Sequence, residues 1–217
     1  MQSSGFFLKS KSYLKRRIMR TVSATEISVR TINMTALLSA IAYILAFAEF
    51  PVPLSPAFAR MDLSDFPALI GAFAFGPVAG LLIELVKNAL QLFSTSTGGV
   101  GKLANFLMGA SFVFTAGLIY GCHKTKKTAW IAGIVGSIVM SIVAAVANYF
   151  ILLPLFEQFM PLEQLIVSFG EFIPFIHTKL DVVLYNAFPF NLLKGLVISG
   201  VTMLVYKRLR PVLKGTV

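Results

Sequence analysis

The chain alternates between apolar stretches of about the length that crosses a lipid bilayer and short polar segments that hold nearly all of its charges. A hydrocarbon core about 30 Å thick takes about 20 helical residues to cross. Every backbone N–H and C=O inside it must be satisfied within the protein, so only helices and closed barrels span it. The apolar residues come in runs of that length, which read as bundled membrane helices. Only 13% of the 217 residues are charged and 57% are apolar, against about 25% charged in soluble domains. The expected fold class is therefore all-α, a polytopic membrane bundle.

Six spans are expected, at 32–50, 66–75, 78–93, 103–120, 129–153 and 182–206. Pro51, Pro53 and Pro56 stop the first, and Gly76-Pro77 reverses the chain between the second and third. The second span is short for a full crossing and is expected to begin below the membrane surface. The stretch 154–181 reads as a loop carrying a short interfacial helix, and Pro189 is expected to kink the sixth span. The domain layout is a basic tail at 1–30, a six-helix membrane domain at 31–208 and a second basic tail at 209–217.

Six crossings place Lys9, Lys11, Lys15, Arg16, Arg17, Arg20, Arg30, Lys124, Lys126, Lys127, Lys207, Arg208, Arg210 and Lys214 on one side, and only Arg60, Lys102 and Lys179 on the other. The positive-inside rule then puts both termini in the cytoplasm of a multi-pass plasma-membrane protein. The net charge of +10 thus reads as basic tails beside anionic lipid, with no nucleic-acid partner. Cys122 is the single cysteine, which rules out an internal disulfide.

Two lysines, Lys87 and Lys194, fall inside predicted spans, where an ionised group costs at least a few kcal/mol unless paired or hydrated. Glu84, Lys87 and Asn88 share one helical face, which Gln91 and Thr95 extend. Asn105, Asn148, Asn186, Asn191 and Lys194 lie at similar depths on other spans. One reading is a structural Glu84–Lys87 pair; the more economical one is a small-molecule pocket opening outward. Amides with Lys and Glu suit a ligand with a polar edge, and Phe58, Phe66, Phe106 and Tyr149 offer aromatic walls. The chain carries no H-E-x-x-H and no G-x-S-x-G, and the segment STGGVGKL at 96–103 lacks the first glycine and the final Ser/Thr of a phosphate loop.

The stretches MDLSDFPAL (61–69), IGAFAFGP (70–77), ELVKN (84–88), GKLANF (101–106), Asn148-Tyr149 and NLLKG (191–195) resemble the riboflavin-binding substrate component of energy-coupling factor transporters, the RibU type, over about residues 31–208. The resemblance implies a six-helix subunit without its own nucleotide motor, not an enzyme. It would capture riboflavin outside the cell and join a membrane coupling protein with two ATPases. Riboflavin is then the transported ligand, with no cofactor or metal. The resemblance further implies that Asn148 and Lys194 bind the polar edge of the flavin and that Met61, Asp62 and Leu63 contribute backbone contacts. Glu84, Lys87, Asn88 and Asn105 join the expected site from the polar stripe, and since riboflavin is uncharged, Glu84 and Lys87 are expected to balance one another. The family's small-residue docking pattern on the first helix matches Ala36 and Ala40, while Ala42 and Ala46 form a second such pair. Three alternatives stay open: a component for another vitamin or for flavin mononucleotide, an intramembrane enzyme using Glu84 and Lys87, and a purely structural subunit.

Overall fold

A computed structural model of the chain describes residues 29–51, 60–94, 99–158 and 161–214. The expected basic tail, apart from Val29 and Arg30, lies outside these residues, as do Phe58 and Thr95. The helices are α1 (Val29–Leu45), α2 (Asp65–Phe75), α3 (Pro77–Gln91), α4 (Val100–Cys122), α5 (Lys126–Ala147, continued through Asn148–Leu152 and Leu153–Phe156), α6 (Leu162–Gly170) and α7 (Lys179–Asp181, continued through Val182–Ala187 and Phe188–Lys214). A two-residue antiparallel pair joins β1 (Phe50–Pro51) to β2 (Arg60–Met61), with Phe50 opposite Met61. Among the described residues Gly101–Cys122, Lys126–Phe156 and Lys179–Tyr206 are long and apolar enough to cross a membrane, and α1 and α2 are shorter apolar helices.

The surface is inside out relative to a soluble protein. Leu37, Ile41 and Ile44 on α1, Leu82, Leu85, Val86 and Leu90 on α3, and Ile131, Ile134, Ile138 and Ile142 on α5 are exposed, whereas Glu84, Lys87, Asn88, Gln91 and Lys194 are buried. Such an exterior is stable against lipid tails, and the fold is that of a membrane protein.

Local chemistry sets where the elements end. The first helix stops at Leu45, earlier than the expected 50, and closes in turns through Ala48. Pro51 disfavours the helical region for Phe50, which instead becomes extended and pairs with Met61. Gly76, at φ 105°, makes the reversal between α2 and α3, with Pro77 at the first position of α3; that left-handed conformation is open to glycine, and proline suits a helix start. Thr178 and Asp181 form a reciprocal capping box that starts α7 at Lys179, and the helix runs to Lys214, past the expected 206. Pro154 in α5 and Pro189 in α7 each follow a π-turn. The Leu153 N–H reaches Asn148 O just before Pro154, and the Phe188 N–H reaches Val183 O just before Pro189. Proline lacks the N–H and its ring collides with the carbonyl four residues back, so the preceding turn widens.

Short connections make α2 and α3, and α4 and α5, adjacent hairpins. At one end of the bundle Phe73, Tyr120 and Tyr206 stack, with ring centroids 4.4 Å apart for Phe73 and Tyr120, and the Tyr206 hydroxyl donates to Phe73 O at 3.3 Å. Between α5 and α7 two small residues interlock reciprocally. A Cβ on Gly133 would meet Ser199 Oγ at 2.5 Å, and one on Gly195 would meet Ser137 Oγ at 2.5 Å. Each serine hydroxyl donates back to its own helix, Ser137 to Gly133 O and Ser199 to Gly195 O, so the helices approach closely without stranded polar groups. Gly195→Ala is therefore expected to destabilise by about 1–3 kcal/mol through overpacking. Gly200→Ala on the same helix, where a Cβ meets nothing within 4 Å, is expected to be neutral or slightly stabilising. Thermal unfolding of the two variants in detergent tests this; equal melting temperatures contradict the interlock.

Candidate ligand-binding site

At the end of the bundle opposite the Tyr120–Tyr206 stack, the inward face of α3 meets the start of α2. The Lys87 ammonium lies 2.7 Å from Glu84 Oε2 one turn earlier on the same helix. It also lies 2.6 Å from Asp65 Oδ1, and all three side chains are fully buried. Lys87 donates further to Ser64 Oγ at 3.0 Å. Asp65 is the first residue of α2, where the positive end of the helix dipole favours a carboxylate. The preceding turn is fixed by the Ser64 N–H, which donates to Asp62 Oδ1 at 2.8 Å.

Lys194 approaches the same carboxylate from α7. Its Nζ lies 3.0 Å from Asp65 Oδ2 and 3.7 Å from Asp62 Oδ2, and it donates to Asn105 Oδ1 on α4 at 3.4 Å. The Asn105 amide donates to Asn88 Oδ1 at 3.2 Å, and the Asn88 amide donates to Glu84 O at 2.8 Å and to Glu84 Oε2 at 3.2 Å. The chain of contacts therefore closes into a ring through α2, α3, α4 and α7. Gly109 of α4 leaves room for it: a Cβ there would sit 2.5 Å from Glu84 Oε2.

Of the expected site residues, Asp62, Glu84, Lys87, Asn88, Asn105 and Lys194 come together in this network. Met61 is buried beside it, and Leu63 packs partly buried against the core. Asn148 stands apart: it begins the π-turn of α5, and its amide donates to Ala144 O at 2.8 Å. Asn191 likewise donates to Ala187 O on its own helix at 2.8 Å. Next to Asn148, the Lys179 ammonium sits 4.9 Å from the Tyr149 ring centroid, within cation–π range. Small cavities of about 130 Å³ and 170 Å³ flank the network; Asn88 and Phe106 line the first, Glu49 and Gln91 the second, and Lys102 lines both.

One expectation needs correction. Glu84 and Lys87 do touch, but they do not balance one another as a closed pair, because Lys87 is shared with Asp65 and Asp65 is shared with Lys194. Sequence reasoning passed over Asp65 and Ser64 as site residues. Counting charges finds the acid: two lysines inside spans need more than the one carboxylate of Glu84, and Asp62 and Asp65 stand three apart at the head of the preceding apolar segment. On α1, Ala36 and Ala40 are exposed, whereas Ala42 and Ala46 are buried in the bundle.

The site carries ion pairs and amides suited to holding a polar ligand edge, and among the described residues no group of His, Cys, Asp or Glu is arranged to hold a metal. Residues 30–206 match the family described as the ECF transporter substrate-specific component. The chain is 42% identical over 180 residues to the Riboflavin transporter RibU of Staphylococcus aureus (strain TCH60), covering 82% of this chain and 89% of that protein. It is 31% identical over 186 residues to the Riboflavin transporter FmnP of Bacillus subtilis (strain 168), covering 84% and 93%. A solved structure described as the S component of a bacterial ECF transporter superposes with a TM-score of 0.67 at 40% identity, over 85% of this chain and 97% of that one. The chain therefore belongs to the substrate-specific components of ECF transporters, membrane transport subunits and not enzymes.

Proposed function

We propose that this chain is the substrate-capture subunit of an ATP-driven vitamin uptake transporter, binding riboflavin from the extracellular side and docking to a membrane coupling protein with two ATPases. The observation that carries the reading is the buried cation Lys194, held by Asp62, Asp65 and Asn105 at the end of the bundle where α2 and α4 begin. Two relatives more than 30% identical bear the name riboflavin transporter. In this reading Lys194 and Asn148 bind the polar edge of the isoalloxazine ring, while Met61, Asp62 and Leu63 line the entrance. Glu84, Lys87, Asn88 and Asn105 hold Lys194 in place. The helices α1 to α5 and α7 make six crossings, with both termini cytoplasmic in the plasma membrane and residues 31–208 forming the membrane domain. An 11-residue α2 rises only about 16 Å. With the Gly76-Pro77 turn at the cytoplasmic side, Asp65 then lies well below the outer surface, as its buried pairing with two lysines requires.

The docking face in this reading is the exposed side of α1. A cleft of about 350 Å³ runs between α1 and α3, lined by Thr35, Ala36, Ser39 and Ala40 on one side and Val78, Leu82 and Val86 on the other. Small exposed residues allow a partner helix to approach closely, and the burial of Ala42 and Ala46 favours the 36/40 pair as the contact.

The reading is tested by titrating detergent-purified protein with riboflavin, flavin mononucleotide and unrelated vitamins. Saturable riboflavin binding with flavin absorbance in the purified fraction is expected; saturation by a different vitamin alone would overturn it. Lys194→Ala is expected to weaken riboflavin binding by about 1.5–3 kcal/mol, roughly 10- to 150-fold, through loss of a charged donor. Unchanged affinity in a folded variant removes Lys194 from the site. Ala36→Trp and Ala40→Trp are expected to keep riboflavin affinity near wild type while abolishing uptake and co-purification of the coupling protein. Loss of ligand binding in step with uptake would mean that these alanines pack the bundle instead.

A further inference from the structure

Among the described residues the network holds three carboxylates, Asp62, Asp65 and Glu84, and two ammonium groups, Lys87 and Lys194. If every group is ionised, one negative charge is left over in a region where Asp65, Glu84 and Lys87 are fully buried. An uncompensated charge in such surroundings is strongly unfavourable. The geometry singles out where the surplus falls. Asp65 lies between both lysines, at 2.6 Å and 3.0 Å. Asp62 is the most exposed acid of the three, with 13% of its side chain accessible, and it also accepts the Ser64 N–H. Glu84 has a single cation, shared with Asp65, and both of its contacts fall on Oε2. Its Oε1 is buried with no hydrogen-bond partner among the described residues.

From these contacts we infer that the network is a binding site for one proton, carried by Glu84, so that the buried cluster is electrically neutral. A protonated Glu84 keeps its Oε2 contacts with Lys87 and Asn88 and places its proton on the unpartnered Oε1. The charges that act on Glu84 are Lys87 on its own helix, Asp65 from α2 and Lys194 from α7. From α4 it meets Gly109 and, through Asn88, Asn105, neither of which is ionisable. Lys102 lines a cavity with Asn88 but makes no ion pair among the described residues. The inference does not depend on which ligand the site takes.

Infrared spectroscopy of the purified full-length protein at neutral pH tests this without any substitution. A protonated carboxyl gives a C=O stretch separate from the carboxylate bands, and it is expected to shift when the protein is made with carbon-13 glutamate. The other described glutamates, Glu49, Glu157, Glu163 and Glu171, are exposed. Glu84→Gln, an isostere of the protonated form, is expected to remove the band and to melt at the wild-type temperature, whereas Asp65→Asn is expected to lower the melting temperature and also to remove the band, because two carboxylates then face two ammonium groups and Glu84 ionises. Absence of the band, a band that follows carbon-13 aspartate, or a melting loss in Glu84→Gln equal to that in Asp65→Asn would each overturn the inference. So would stabilisation that depends on added sodium or potassium with no protonated carboxyl, since a metal cation would then fill the deficit.

Discussion

The double engagement of Asp65 by Lys87 and Lys194 is the constraint around which the rest of the structure is arranged. It is the only contact type in the described bundle that draws α2, α3 and α7 to one point through full charges. Burying any one of these groups alone would cost several kcal/mol, and removing one partner leaves the others stranded. The elements that carry them must therefore stay in register: the Gly76 reversal sets α3 against α2, Gly109 lets α4 lie against Glu84, and the Gly133–Ser199 and Gly195–Ser137 interlock holds α7 against α5. The small residues of these helices are consequences of close approach around polar groups. They are not a separate stabilising device.

The arrangement also explains how an inside-out helix such as α3 serves two surfaces. Its polar face carries Glu84, Lys87 and Asn88 into the network and Gln91 to the cavity beside it, and its apolar face contributes Val78, Leu82 and Val86 to the cleft beside α1. In the proposed function one face supports the ligand site and the other borders the docking surface. A rigid helix with both roles gives ligand capture and partner contact a shared element without requiring a long-range conformational path.

Much of the fold was legible because apolar run length and proline or glycine punctuation are local signals. The α2–α3 reversal at Gly76-Pro77 and the short helix now seen as α6 follow from them directly. The early end of α1 was not legible, since Phe50 leaves the helix to pair with Met61, a partner 11 residues away in sequence. The π-turns were half legible: Pro189 announced a distortion, but its form depends on how the widened turn repacks. In the site, Lys87, Lys194 and the asparagines stood out as polar groups within spans. Asp65 did not, because at the boundary of a short apolar segment it reads as a surface helix-start acid. Its burial arises from the approach of Lys87 on α3 and Lys194 on α7, partners that the sequence alone does not bring together.

The comparisons fix the family, and the network explains why a chain of this family places lysines in its interior. The central claim is that Lys194, held by Asp65 and Asp62, is presented to the ligand from the middle of this network. A structure of the protein with riboflavin bound tests it most directly. The account predicts the polar edge of the flavin within hydrogen-bond distance of Lys194 and Asn148, with the Lys87–Asp65 contact intact. A flavin seated away from Lys194, or bound with Asp65 turned out of the network, would contradict it.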